Sequence, residues 1–495
     1  MALLFGSSDP KAAYQLGRDV AAKKVRKLAA KIYSDDLVTP DREIVRSHRF
    51  EIVAHFYPNA VVSHRTALNG GSISKGNRFH ITVPGAAISS RPLPGFEIRI
   101  WPGPGVLSED QAIPTAEGPI HIASRARALL ENLLPGRARG KVAEAKTLTR
   151  AELEIWLERQ IRISGRAELH RLLGEARIIA PRVKWEASLA KLEQLIADLD
   201  GVGNAGNLNA PVAIARAMRD PYDPERLALF TELQARLASE SFISLPSAPA
   251  AERRNRAFWE SYFSNYIEGT KFTVEDAQSI VEAADPRRIL QQRPKEAHDI
   301  LETYRLITDD RICRDVPQEA PGFFDVLKRR HARMMASRPE VQPGVFKVLP
   351  NQVGTKTFVA PDLVEGTLRR AWPQVRALTD PVARALLVHF VLAEVHPFSD
   401  GNGRISRLSM NAELDAAGRA RILIPTCYRT DYLTVLDALT RGENPTPFIA
   451  FGHRILALNR ATPYENPEIT HDHFKKVGAM SEEPSGMNIA ALAQI

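Results

Sequence analysis

The chain has 495 residues, 44% hydrophobic and 25% charged, the balance of an ordinary globular protein long enough for about two to four domains. Its longest apolar run, Ala385–Val395, is broken by His389 and Glu394, so no membrane span is expected. Asp9 and Lys11 interrupt the start, which argues against a secretory leader, and the two distant cysteines, Cys313 and Cys427, are expected reduced and buried in a cytoplasmic protein.

The net charge of +8 is uneven: residues 1–150 hold 22 Lys and Arg against 13 Asp and Glu, and the remaining 345 hold 44 against 45. A basic front and a neutral body point to an anion-facing surface at the front, which would suit DNA. Residues 11–33 read as an amphipathic helix. Leu16, Val20, Val25, Leu28 and Ile32 share one face, and Lys23, Lys24, Arg26, Lys27 and Lys31 line the other. After Pro40, short β-like pieces (Ala60–Val62, Arg78–Val83, Phe96–Ile100) alternate with Gly/Pro clusters. Residues 1–140 are therefore predicted to form a small basic α/β domain, in which His64 and His80 are hydrogen-bonded structural residues.

From 141 to 250 the pattern is a helical connector, with helices over Ala151–Ile163, Arg166–Leu173 and Lys184–Leu199 and a break at Gly201–Asn209. Residues 251–457 are predicted mostly helical, interrupted by one extended piece near Val345–Val359. Residues 458–495 read as a polar, loosely held tail. The expected fold class is mainly α.

The informative string is His396-Pro-Phe-Ser-Asp-Gly-Asn-Gly-Arg-Ile-Ser-Arg407. Pro397 must stop the apolar helix before it, and a second helix is predicted over Arg404–Ala416. Two glycines in the connecting loop let successive backbone N–H groups of Gly401, Asn402 and Gly403 turn toward one concavity at a helix N-terminus, a place that binds phosphate. His396 titrates near neutrality and can accept a proton. Asp400 is a hard oxygen ligand suited to Mg²⁺, and Arg404 and Arg407 can share charge on polyphosphate oxygens. Each residue alone suits a plain helix cap or turn, but the whole pattern would arise by chance with a probability of about 10⁻⁸ in a chain of this length.

This string resembles the signature of the Fic family at every defining position. The resemblance implies a helical domain that transfers AMP from ATP, with Mg²⁺, onto a Tyr, Thr or Ser hydroxyl of a target protein or of the enzyme itself. It implies that His396 is the base, Asp400 the metal ligand, Gly401, Asn402 and Gly403 the phosphate cradle, and Arg404 and Arg407 the cations toward the β and γ positions.

Two further stretches extend the likeness. Ser264-Asn-Tyr-Ile-Glu268-Gly269 resembles the family's inhibitory motif, on a predicted helix Arg254–Ile267 with the glycine at its C-terminal end. It implies that Glu268 pairs with Arg407 and fills the γ-phosphate site. The piece Gly344–Val359 resembles the family's flap, a hairpin that orders the target by strand addition, with Thr355, Lys356, Thr357 and Phe358 at its edge and Lys347 where the family often has Arg. Thr426–Tyr428 and Tyr432 can flank an adenine or pack in the core. At the front, Lys31-Ile-Tyr33, Pro58–Leu68 and His80-Ile-Thr-Val-Pro84 resemble AbiEi-type antitoxin regulators, which implies a regulatory role, a toxin–antitoxin setting and DNA as a partner. Two rival readings stay open: Glu268 activates water to remove AMP from a target, or the chain is a DNA-binding regulator whose Fic loop senses nucleotide. UMP, phosphate and phosphocholine also stay open as groups moved.

Overall fold

The structure is a computed structural model that describes residues 3–135, 145–283, 293–442 and 444–482. It is mainly helical, as the sequence predicts. The chain divides into two compact units, Met1–Arg219 and Asp220–Ile495. That boundary falls inside 141–250, so the stretch read as a connector is shared between the units. The predicted end of the front domain at 140, and the chain from 483 onward, lie outside the described residues.

In the first unit, a six-stranded mixed sheet runs in the order 89–93, 96–102, 78–83, 61–62, 120–122, 111–113. Alternation places Phe79 and Ile81, and Phe96, Ile98 and Ile100, in the core. The helix predicted over 11–33 is only Pro10–Ala21, and a three-stranded sheet of Leu3–Phe5, Arg26–Ala29 and Ile32–Ser34 takes the rest. Lys23 and Lys31 occupy left-handed backbone at turns (φ 55° and 62°), so the five basic residues do not share one cationic helix face. The helix Arg150–Val183 opens on a Thr149/Glu152 capping box and is broken at Gly165 (φ 79°, ψ 169°), the point between the two helices the sequence predicts.

Beside that sheet lies a closed ion triad. Arg127, wholly buried on the Arg125–Asn132 helix, pairs with Asp110 and, at 2.9 Å, with Glu131, and donates to the carbonyls of Pro104 and Gly105. Glu131 also accepts the His64 N–H at 2.7 Å. His80 is buried, and its Nδ1 accepts the Trp101 Nε1–H at 3.1 Å.

The second unit packs its helices around Pro381–Val395, which is mostly apolar and buried along most of its length and lies against Asn402–Ala416. Against them lie Pro224–Leu237, Ala250–Ile267, Ala320–Met334, Val364–Arg376 and Thr446–Ala461, which contribute Phe230, Trp259, Leu327, Trp372 and Phe448 to one core. The tail is not loose throughout: Pro467–Lys476 is a helix that buries Phe474 in this core. Cys313 and Cys427 are buried, and neither forms a disulfide among the described residues. Among the described residues no helix is long and apolar enough to cross a membrane.

Candidate active site

Asp380 caps the helix Pro381–Val395 by accepting the N–H groups of Val382 and Ala383, and the helix ends on His396 in left-handed backbone (φ 53°, ψ 60°). A bulky residue adopts that conformation only where its surroundings impose it. The His396 ring lies face to face on Phe358, with centroids 3.7 Å apart and planes 9° apart. Its Nδ1 is 3.2 Å from the carbonyl oxygen of Ala393; Nδ1 therefore carries the hydrogen and Nε2 keeps its lone pair. Burial lowers its pKa to about 4, so the ring is neutral at neutral pH.

The loop after it is tied by Asn402, whose side chain accepts the Phe398 N–H and donates to the Phe398 carbonyl, both at 2.8 Å. Phe398 is buried and stacks on His331 at 3.7 Å. Gly401 takes φ 74°; any Cβ there would also lie 2.9 Å from Met335 Sδ. The following helix begins at Asn402, two residues before the predicted start, and no side chain caps it. Its N-terminus is thus an open, electropositive end. Asp400 is exposed, and one carboxylate oxygen accepts the Gly401 N–H at 2.6 Å.

Arg407 and Glu268 meet as the sequence reading expects, Nη2 to Oε1 at 2.7 Å, with side chains 4% and 35% exposed. Ser264 accepts from the same guanidinium through Oγ at 3.0 Å and its carbonyl at 2.9 Å, and the Tyr432 hydroxyl is 3.4 Å away. Burial pulls the Arg407 pKa down, but the charges and hydrogen bonds of Glu268 and Tyr432 together outweigh it and the pKa stands above the ordinary value. Glu268 ends the helix Ala250–Ile267, and Gly269 turns the chain away at φ 96°. The carboxylate sits where Gly403 has no side chain: a Cβ there would lie 2.1 Å from Glu268 Oε1. Arg404 is held elsewhere. Its buried guanidinium pairs with Asp299 at 3.0 Å and reaches Asn265 Oδ1 at 3.3 Å.

The predicted extended piece is mostly irregular. Only Gln352–Val353 and Lys356–Thr357 pair, as a short antiparallel hairpin with Gly354 at φ 59° and Thr355 in the turn. Lys356 Nζ reaches Glu394 at 2.9 Å and Thr440 at 2.6 Å, and Arg226 binds Glu394 at 3.0 Å and the Thr357 carbonyl at 2.9 Å. Upstream, Phe346 and Lys347 turn inward. The Lys347 N–H donates to the Pro397 carbonyl at 2.9 Å, and burial lowers the Lys347 ammonium pKa to about 7.

These elements enclose a cavity of about 500 Å³ lined by His396, Asp400, Asn402, Gly403, Arg407 and Glu268, with Lys356, Phe358 and Tyr432, a size that suits a nucleotide. Gly401, Arg404, Ser264, Gly269, Thr355 and Thr357 do not line it, and Thr426–Tyr428 lie in the core. His331, Asp299 and the Glu394–Lys356–Arg226 group carry no local sequence signal, because each is defined by a partner far away in the chain.

Residues 324–414 match the model of the Fic/DOC family. Protein adenylyltransferase Fic of Drosophila willistoni is 28% identical over 237 residues, 46% of this chain and 45% of the relative. The protein of the same name from Nematostella vectensis is 29% identical over 243 residues, 46% of this chain and 53% of the relative. The chain spans about half the length of these curated relatives. Among solved structures, Fic-1 (residues 134–508) of C. elegans aligns with 67% of this chain and 90% of its own at 19% identity, with a TM-score of 0.35. From the helix that holds His331 to the one that holds Arg407, the chain therefore carries a Fic domain.

Proposed function

We propose that the chain is a protein adenylyltransferase that moves AMP from ATP to a hydroxyl of a target protein and is held silent by Glu268. The observation that carries this reading is the Arg407–Glu268 pair facing the same cavity as the Nε2 lone pair of His396. In this reading His396 Nε2 takes the proton from the target hydroxyl as its oxygen bonds the α-phosphorus. The bond from the α-phosphorus to the bridging oxygen breaks, and pyrophosphate leaves. The uncapped N-terminus at Asn402 and Gly403 receives phosphate oxygens on backbone N–H groups, the Asn402 side chain being committed to Phe398. Arg407 takes the γ-phosphate once Glu268 has left it, and Arg404 acts from behind, through Asp299 and Asn265.

Mg²⁺ fits the donor set. Asp400 brings one exposed carboxylate to the cavity, and no group of three or more His, Cys, Asp or Glu side chains able to hold a metal exists among the described residues. One carboxylate with phosphate oxygens and water is a usual Mg²⁺ environment, and the ion would supply charge neutralisation on the departing pyrophosphate. Two buried cysteines without a disulfide keep the cytoplasm as the proposed compartment.

The test incubates wild type, Glu268→Gly and Glu268→Gly/His396→Ala with α-labelled ATP and lysate. Glu268→Gly is expected to label itself or a lysate protein at least about tenfold faster than wild type, because freeing the guanidinium restores a charge-assisted anchor. The double variant should lose about 10²–10⁴-fold of that rate. Equal labelling by wild type and Glu268→Gly overturns the inhibitory assignment. Removal of AMP from a modified target by wild type but not by Glu268→Gly reverses the direction of the reaction.

A further inference from the structure

His331 lies on Ala320–Met334, 65 residues before His396, and does not line the cavity. It is wholly buried, and both ring nitrogens are used: the Gly344 N–H donates to Nδ1 at 2.9 Å, and Nε2 is 3.0 Å from the Asp400 carbonyl oxygen. Since Nδ1 accepts, Nε2 carries the hydrogen and donates to Asp400. The ring also stacks on Phe398 with planes 2° apart, so it touches the first residue of the 344–359 segment and both sides of the motif loop. Gly344 reaches it because it has no side chain. At φ 79°, a Cβ would meet Ala332 Cβ at 3.0 Å and the Lys328 carbonyl at 3.1 Å.

Peptide planarity gives this contact a consequence at the cavity. In a trans peptide the C=O and the next N–H point in opposite directions. Holding the Asp400 carbonyl on His331 therefore aims the Gly401 N–H the other way, where it meets the Asp400 carboxylate. Glycine at 401 makes the alternative cheap, because a flip of the 400–401 peptide changes the φ of a residue free to adopt either sign. The flipped peptide would present a carbonyl oxygen where the Gly401 N–H now stands and release the Asp400 carboxylate.

We propose that His331 is a positioning residue that locks the Asp400–Gly401 peptide against this flip and so sets the anion-accepting face of the loop. The proposal rests on the nucleotide reading of the cavity. It is tested in the Glu268→Gly background by nucleotide-binding calorimetry with ATP and Mg²⁺ and by amide hydrogen exchange over residues 397–403. His331→Gln keeps a donor at about the Nε2 position. His331→Asn keeps only an acceptor for Gly344, and His331→Phe keeps only the stack. The Gln variant is expected to bind ATP within about threefold of its parent, and the Asn and Phe variants about tenfold more weakly, the loss of one partly buried hydrogen bond. Exchange at 397–403 should quicken in Asn and Phe but not in Gln.

Equal exchange and equal binding in all three variants overturn the proposal. So does a loss that follows the thermal midpoint instead of the donor. If the parent binds or transfers nothing, while exchange still separates Gln from Asn and Phe, the lock stands and the adenylyltransferase reading falls.

Discussion

Two buried arginines, one in each unit, hold carboxylates at nearly the same distance and differ in what surrounds them. Arg127 and both of its partners are wholly or almost wholly buried, and two carbonyls complete its shell. Arg407 is nearly as deep, but Glu268 is 35% exposed and faces a cavity of about 500 Å³. Removing one member of the first group strands charge in a dry interior. Removing Glu268 leaves an arginine that water or a phosphate can reach. Depth alone therefore does not separate a structural ion pair from a displaceable one; the solvent access of the weaker partner does.

The contrast can be broken in three ways, from the largest expected effect to the smallest. Arg127→Ala should cost the first unit about 3–5 kcal/mol, because Asp110 and Glu131 are left buried without their cation. Hydrogen exchange of the Arg125–Asn132 helix reads that loss, and unchanged protection would mean the triad is as replaceable as the open pair. Second, the His396 pKa is lowered to about 4 by burial, so the proposed base stays neutral far below the ordinary histidine range. Transfer by Glu268→Gly should stay nearly flat from pH 8 to 5.5, where an unshifted histidine would cost about tenfold. The stabilisation tied to the neutral ring is fully present above about pH 6.5 and lost as pH falls toward 4. An activity midpoint near 6.5 would show that the cavity is wetter than its geometry indicates. Third, Glu268→Gly should shift the urea midpoint of the second unit by less than the equivalent of about 1 kcal/mol, since its carboxylate is solvent-accessible. A loss as large as that of Arg127→Ala would erase the distinction.

How far the sequence could be read follows the same division between local and distant causes. His396–Arg407 was legible because its residues are contiguous, and the helix stop at Pro397 and the left-handed Gly401 are local effects. The Glu268–Arg407 pair was legible only through the family likeness. The motif points Arg404 toward phosphate, but its partner Asp299 lies more than 100 residues upstream, and nothing near Arg404 announces a buried acid. The front failed for another reason. Val25, Leu28 and Ile32 fit a helical face, yet the same residues serve a hairpin turning at Ala30-Lys31, and no glycine or asparagine marks that turn. The predicted flap shrank to four paired residues because Phe346 and Lys347 are drawn inward against the motif loop.

The bare Cα of Gly403 has an outcome for inheritance as well as for chemistry. Because a single methyl group there would stand 2.1 Å from the Glu268 oxygen, positions 268 and 403 are complementary halves of one shape, though 135 positions separate them. A lineage can discard the carboxylate at little structural cost. It cannot enlarge residue 403 and keep the carboxylate where it is. A change at either end therefore disturbs the pair as it now stands, and with it the proposed restraint.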